Sequence, residues 1–337
     1  MPARHRVSLW LVAAALLATI VATAFAVGKY PVSPSDLLRA LAGRLAGTDS
    51  GLPQAVETVI WNIRLPRIAA GLLVGAVLAA AGAAYQGMFR NPLVSPDILG
   101  VSTGAGLGAS LGIFLSLPLA AVQGLAFVGG LAAVGIVYQI ASLVRRHDPV
   151  LVLVLAGVAI SALLGAGISL IKILSDPYAQ LASITFWLLG GLNAVTCSEL
   201  AATAPAMLAG LVPMALLRWR MNLLSLADEE ASALGIDVVR LRLILVTAAT
   251  LSTAATVSLA GIVGWIGLVV PHIARLLVGP DFSRLLPASL LLGAGFLVIT
   301  DTLARTVVSM ELPLGILTAL VGAPFFLFLL ARGGKTA

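Results

Sequence analysis

Ten stretches of this chain are apolar over a length that crosses hydrocarbon: 7–28, 65–88, 98–117, 119–141, 150–174, 199–217, 241–260, 262–278, 286–306 and 313–331. A bilayer core of about 30 Å needs roughly 20 helical residues at about 1.5 Å each. Runs of this kind satisfy their own backbone as helices. The sequence predicts one all-α polytopic membrane domain over residues 1–337, with about ten transmembrane helices. Two linkers carry shorter helical pieces: "SPSDLLRALAGRL" in 29–63 is amphipathic, and "ITFWLLGGLN" in 175–198 is too short to span.

Composition closes off other classes. Hydrophobic residues are 60% of the chain and charged ones 10%, against about 25% charged in a soluble domain. The net charge of +6 bears on membrane orientation. No basic patch is interleaved with aromatics, so nucleic acid is not an expected partner. Cys197 is the single cysteine, which excludes an internal disulfide and a cysteine metal site. His5, His147 and His272 lie far apart in sequence and suggest no metal centre. Residues 1–28 have the make-up of a signal peptide; with so many spans following, they read as an uncleaved first helix. With the N-terminus inside, thirteen Lys and Arg residues fall on the cytoplasmic side and seven outside. That asymmetry puts both termini in the cytoplasm.

One segment breaks the pattern. Six of the eighteen residues in Ser225–Arg242 are charged. Ser225 reads as an N-cap, and Asp228, Glu229 and Glu230 suit the positive end of a short helix. Gly235 reads as its left-handed end and Asp237 as the cap of the next helix. Taken alone, this is either a well-capped solvated loop or a docking helix on the inner face.

The segment "LADEEASALGIDVVRLR" (226–242) resembles the coupling segment of permease subunits in ABC importers for iron chelates, haem and cobalamin. So do "RLPRIAAGLLVGAVLAAAGAAYQGMFRNPLVSPDILGVSTGAGLGA" (64–109), "LVLAGVAIS" (153–161), "FWLLGGL" (186–192), "GLVVPHIARLLVGPD" (267–281) and "ELPLGILTALVGAPFFLFLL" (311–330). The likeness runs nearly end to end, in order. It implies a cobalamin-permease-like fold in a bacterial cytoplasmic (inner) membrane. The implied partners are a second permease subunit (the same or a paralogue), two cytoplasmic ATPase subunits and a periplasmic or lipoprotein binding protein.

The resemblance also assigns roles. ATPase coupling falls on Leu226, Asp228, Glu229, Glu230, Ala233, Leu234, Gly235 and Ile236. A cytoplasmic gate falls on Asn91, Pro92 and Leu93, and on "HDPVL" (147–151), hence Asp148, Pro149, Val150 and Leu151. Binding-protein docking falls on Arg64, Arg67 and Arg305; read without the resemblance, the first two are snorkelling helix anchors. Ser161 and Ser169 would face the pathway. Asp301 and Arg305, four apart on one helix, are spaced to pair.

No chemistry is expected on this chain, and no cofactor: ATP and magnesium would belong to the partner ATPase. The tail "RGGKTA" contains Gly334-Lys335-Thr336, but Leu329 stands where a phosphate-binding loop needs its first glycine. The cargo that the resemblance implies is a metal chelate or corrinoid-like ligand, ferric siderophore first, with haem, cobalamin and oxyanion substrates left open. The rival reading is an ion-coupled secondary transporter. Such a protein needs ionisable groups near mid-membrane, where these spans are nearly uncharged. An intramembrane enzyme is opposed by the lack of a paired catalytic constellation.

Overall fold

The computed structural model describes residues 3–144 and 149–333, and among these it contains helices and turns and no strand. The helices are α1 (Ala3–Ala26), α2 (Pro34–Ala46), α3 (Gln54–Thr58), α4 (Leu65–Met88), α5 (Val101–Phe114), α6 (Leu119–Leu143), α7 (Pro149–Leu174) and α8 (Gln180–Leu189). They continue with α9 (Cys197–Leu216), α10 (Arg218–Met221), α11 (Asp228–Ala233), α12 (Val238–Ala260), α13 (Ile266–Val278), α14 (Phe282–Ala304) and α15 (Leu314–Gly333). A π-helical turn, Val59–Arg64, joins α3 to α4, so that one rod runs unbroken over Gln54–Met88.

Each of the ten predicted runs coincides over most of its length with one of these helices. Among the described residues, six helices are long and apolar enough to cross a membrane. Two of the predicted spans are shorter than expected, for a local reason. The run 98–117 yields the 14-residue α5, because Pro96 opens a tight turn that Gly100 closes at φ 82°. The run 262–278 yields the 13-residue α13, because Gly261 (φ 66°) and Trp265 (φ 70°) turn the chain before it. The ten-residue α8 is too short to span, as expected.

α4 and α12 form the interior. In each, 78% of the most apolar 18-residue window is buried, against 11% in α7. α4 is flanked by α1, α9, α12, α13 and α14. Its small residues make this close approach feasible. A Cβ placed on Gly82 would overlap the Gly267 carbonyl of α13, and one on Gly75 would overlap the Gly293 carbonyl of α14. A buried glutamine locks the first of these seams. Gln86 Nε2 donates to the Leu268 carbonyl (3.1 Å), and its Oε1 accepts from Arg275 Nη2 (3.0 Å). α7, by contrast, turns Leu155, Val158, Leu163 and Leu170 outward.

Candidate functional site

The side chains singled out in the sequence gather mostly at the two ends of α4, which are about 34 Å apart at about 1.5 Å per residue from Arg67 to Arg90.

At the Arg90 end, helix α4 stops and the chain turns through Asn91, Pro92 and Leu93. Proline cannot continue the helix. Asn91 Oδ1 accepts the Leu93 N–H (2.9 Å), and the Asn91 N–H donates to the Gln86 carbonyl (3.2 Å). All three residues are exposed, while Val94 and Pro96 beyond them are buried. α7 packs on the following turn, Pro96–Leu99. Of the second stretch expected to gate, 147–151, His147 and Asp148 lie outside the described residues. Pro149 opens α7, Val150 packs against the core and Leu151 is exposed.

The charged segment folds as helix, elbow and helix, with one correction. Ser225 is not the cap. It ends a 3-10 turn, Asn222–Ser225, and its hydroxyl donates back to the Asn222 carbonyl (2.6 Å). The first helical residue of α11 is Asp228, and Glu230 reaches back to the Ala227 N–H (3.4 Å). Local hydrogen bonding by serine competes with capping, and here the turn wins. Gly235 takes φ 82°, and the Ile236 N–H closes on the Ala231 carbonyl (3.2 Å), a Schellman-type helix end. Asp237 caps α12 by accepting the Arg240 N–H (3.0 Å). Glu229, Glu230, Ala233 and Leu234 are exposed; Leu226, Asp228 and Ile236 are half-buried.

Asp228 ties this segment to the rest. Arg90 Nη2 lies 3.4 Å from its Oδ1, and Arg242 Nη2 lies 3.3 Å from the same oxygen. Arg90 Nη1 also donates to the Leu226 carbonyl (2.8 Å). The structure therefore joins the residue immediately before Asn91-Pro92-Leu93 to the start of α11. Near by, Asn222 Nδ2 donates to Asp281 Oδ1 (2.9 Å), and its Oδ1 accepts the Phe282 N–H (2.7 Å). The hydrogen bond from Asn222, with help from the Ser283 N–H and nearby Arg284, holds the Asp281 carboxyl below the usual carboxylate range.

At the Arg67 end the placement differs from expectation. Arg64, Arg67 and Arg305 are 3%, 8% and 7% exposed. Arg67 Nε donates to both oxygens of Asp301 (2.9 and 3.0 Å), and its Nη1 donates to both oxygens of Glu311 (3.2 and 3.0 Å). Arg305 lies 3.8 Å from Asp301, the pairing its spacing suggested, and it also donates to the Ala24 carbonyl. Arg64 donates to the Phe25, Ala26 and Tyr30 carbonyls. These guanidinium groups are buried and engaged within the chain, not displayed at a surface. A buried arginine without a partner is prohibitively unfavourable, and local carbonyls and carboxylates supply one.

Beside this cluster lies a cavity of about 770 Å³. Arg67 and Glu311 line one part of it, and Glu199, Gln180, Ser183, Trp187 and the Gly190–Val195 loop line others. Three helix ends meet in the wall of the cavity. Gly191 N–H donates to the Ala260 carbonyl (2.8 Å), and Leu314 N–H to the Gly190 carbonyl (3.0 Å). Ser161 does not line this cavity. Its hydroxyl is buried where α7 meets Gly100, with no hydrogen-bond partner. Ser169 is exposed on α7 and donates to the Gly165 carbonyl (3.0 Å). Sequence reasoning passed over Gln86, Glu199 and Glu311. Gln86 was detectable as the one amide in an Ala- and Gly-rich run. Glu199 was legible as the far end of a Thr196-x-x-Glu199 capping box, whose Thr196 N–H donates to its carboxylate (2.9 Å), whereas Glu311 is a lone carboxylate and carried no such signal.

Comparison with known proteins gives the family and the fold. Residues 15–332 match the FecCD transport family. The chain is 44% identical over 281 residues to the cobalamin import system permease protein BtuC of Halobacterium salinarum, covering 83% of this chain and 75% of that one. It is 36% identical over 323 residues to the molybdate import system permease protein MolB of Haemophilus influenzae, covering 95% of each. A solved structure of a metal-chelate type ABC transporter in an inward-facing conformation superposes with a TM-score of 0.87, at 33% identity, covering 96% of this chain and 99% of that one. The chain belongs to the FecCD transport family, the permeases of ABC importers for metal chelates.

Proposed function

We propose that this chain forms half of the membrane pathway of an ATP-driven importer in a bacterial cytoplasmic membrane, and that its cargo is a bulky metal chelate, ferric siderophore first. The observation that carries the cargo reading is the cavity of about 770 Å³, mixed apolar and polar in lining. It falls in the range of about 300–1,000 Å³ that suits drug-sized organic ligands, far above the needs of a bare oxyanion. In this reading a second permease covers the outward apolar face of α7. Two ATPase subunits dock beneath the permease pair, one on the exposed side of each chain's Leu226–Ile236, where the capped α11 and the Gly235 elbow make a rigid contact. Movement there passes through Asp228 and Arg90 to a gate at Asn91, Pro92 and Leu93, with Pro149–Leu151 opposite. A binding protein docks at the Arg67 end, and Arg64, Arg67 and Arg305 stiffen that surface from beneath. The excess of Lys and Arg at the α11 end supports a cytoplasmic position for both termini.

Co-reconstitution with the cognate ATPase and binding protein in proteoliposomes tests the reading. ATP-dependent uptake of an iron-55 hydroxamate siderophore is the expected result. Uptake of cobalamin or molybdate in its place overturns the cargo alone. Uptake driven by an ion gradient without ATP overturns the mechanism. Leu234→Asp and Gly235→Pro should weaken ATPase assembly or uncouple hydrolysis from transport; normal behaviour of both removes the docking assignment.

A further inference from the structure

Helix α2 has two apolar sides, and only one of them is covered. Its inner side, at Ala40 and Gly43, is buried. Ala40 belongs to a small core with Val32, Val56 and Ile60, against which Phe25 of α1 and Trp61 also pack. On the opposite side Leu38, Leu41 and Leu45 are 67%, 41% and 88% exposed. Spaced three and four apart, they form one stripe. Arg39 and Arg44 are exposed and project on either flank of that stripe, given about 100° of rotation per residue. Arg44 also lies over the Trp61 ring, 5.2 Å from its centroid.

The helix is preformed. Ser33 accepts the Asp36 N–H (3.1 Å), Pro34 occupies the first turn, and Gly47 ends the helix at φ 66°. Ordering a helix of this length on binding is unfavourable, and here that ordering is already done. The α2 level is set by Phe25, in the last turn of α1, where the first apolar run of the sequence ends at Val27. α2 therefore lies across the end of a membrane-embedded helix, at the edge of the hydrocarbon.

We propose that α2 is an interfacial anchor. Its Leu38, Leu41 and Leu45 stripe enters the headgroup–acyl boundary of the bilayer, and Arg39 and Arg44 hold the phosphates of anionic phospholipids. Three features select lipid as the occupant. The helix that bears the stripe packs, through the core it shares with Phe25, on the end of α1, where Val27 is also exposed. The flanking charges are both positive, which suits phosphate. A tryptophan stands beneath one of them, the residue typical of this depth. The inference does not depend on the identity of the cargo.

The test uses the full chain in nanodiscs, with Cys197→Ser as background and single cysteines at Leu38, Leu41, Leu45 and, as a water-exposed control, Glu229. Each carries an environment-sensitive fluorophore. The bilayers are phosphatidylcholine with or without phosphatidylglycerol, and hold a lipid spin-labelled high on its acyl chain. The three leucine positions should show blue-shifted emission that the spin-labelled lipid quenches, more so with phosphatidylglycerol, while Glu229 shows neither. Arg39→Glu with Arg44→Glu should remove the phosphatidylglycerol effect. Emission at the leucine positions matching that at Glu229 in both bilayers overturns the proposal. Protection that appears only with added binding protein, or a crosslink between two copies through these cysteines, overturns it in favour of a protein partner.

Discussion

Asp301 is the carboxylate on which two buried arginines converge, and its replacement gives the sharpest test of how the Arg67 end is held. Asp301→Asn keeps the shape and removes the charge. Arg67 then retains Glu311, whose side chain is 33% exposed, and Arg305 retains only neutral oxygens. Breaking a buried pair from one side costs about 3–5 kcal/mol, because the surviving charge stays desolvated. Arg67→Met strands Asp301 in the same way, with Arg305 at 3.8 Å as its remaining partner. Removing both members eliminates the mutual loss. The double variant should therefore be more stable than the summed single effects by about 2 kcal/mol, within the range seen for contacting residues. Glu311→Gln should do less, about 1 kcal/mol or below, because that carboxylate is nearer to solvent. The measurement is reversible unfolding by sodium dodecyl sulfate in mixed micelles, as a double-mutant cycle. Additivity to within about 0.5 kcal/mol, or an Asp301→Asn variant as stable as wild type, refutes the argument that these charges are mutually dependent.

Other consequences follow from the same geometry. Gly82→Leu drives a side chain into the Gly267 backbone and should abolish folded yield, whereas Gly135→Ala on α6, with open space around it, should be neutral or stabilise by up to about 1 kcal/mol; monodisperse yield after extraction distinguishes them. Asp228→Asn removes the carboxylate shared by Arg90 and buried Arg242, and should destabilise by about 1–3 kcal/mol, read in the same unfolding assay. Asp281 has a folded pKa below its unfolded value, so its contribution is present above about pH 4 and fades as pH falls through the folded pKa. The stability gap between wild type and Asp281→Asn should therefore be open at pH 7 and close in acid; a gap that widens in acid reverses the assignment.

The helices were legible because lipid demands long apolar runs, and such runs are read directly. Where a run was interrupted by backbone geometry, hydropathy overshot. Leu115, Leu117 and Ile262 are apolar enough to extend α5 and α13, yet they sit in or next to the turns that bound those helices. The capped, charged segment was legible through Gly235 and Asp237, since both act within a few residues. Ser225 misled because its local competitor, the Asn222 carbonyl, has no sequence signature. The Arg67 cluster was only partly legible. Asp301 and Arg305 share a helix, but Arg67 is 234 residues from Asp301. Burial of these arginines depends on that distant partner, so the chain pattern alone made them look like surface charges.

The backbone-to-backbone seams of α4 with α13 and α14 constrain how such a protein can work as a machine. Side chains that interdigitate can exchange rotamers and slip by small steps. Two peptide backbones in contact have no rotamers to exchange, and any slide along the seam meets a carbonyl. With Gly75 against Gly293, Gly82 against Gly267, and Gln86 pinned across the second seam, α4, α13 and α14 are geared to travel as one solid part. The sliding surfaces of a transport cycle must then lie elsewhere. α7, which buries so little of itself within the chain, is the element whose travel this block leaves unhindered.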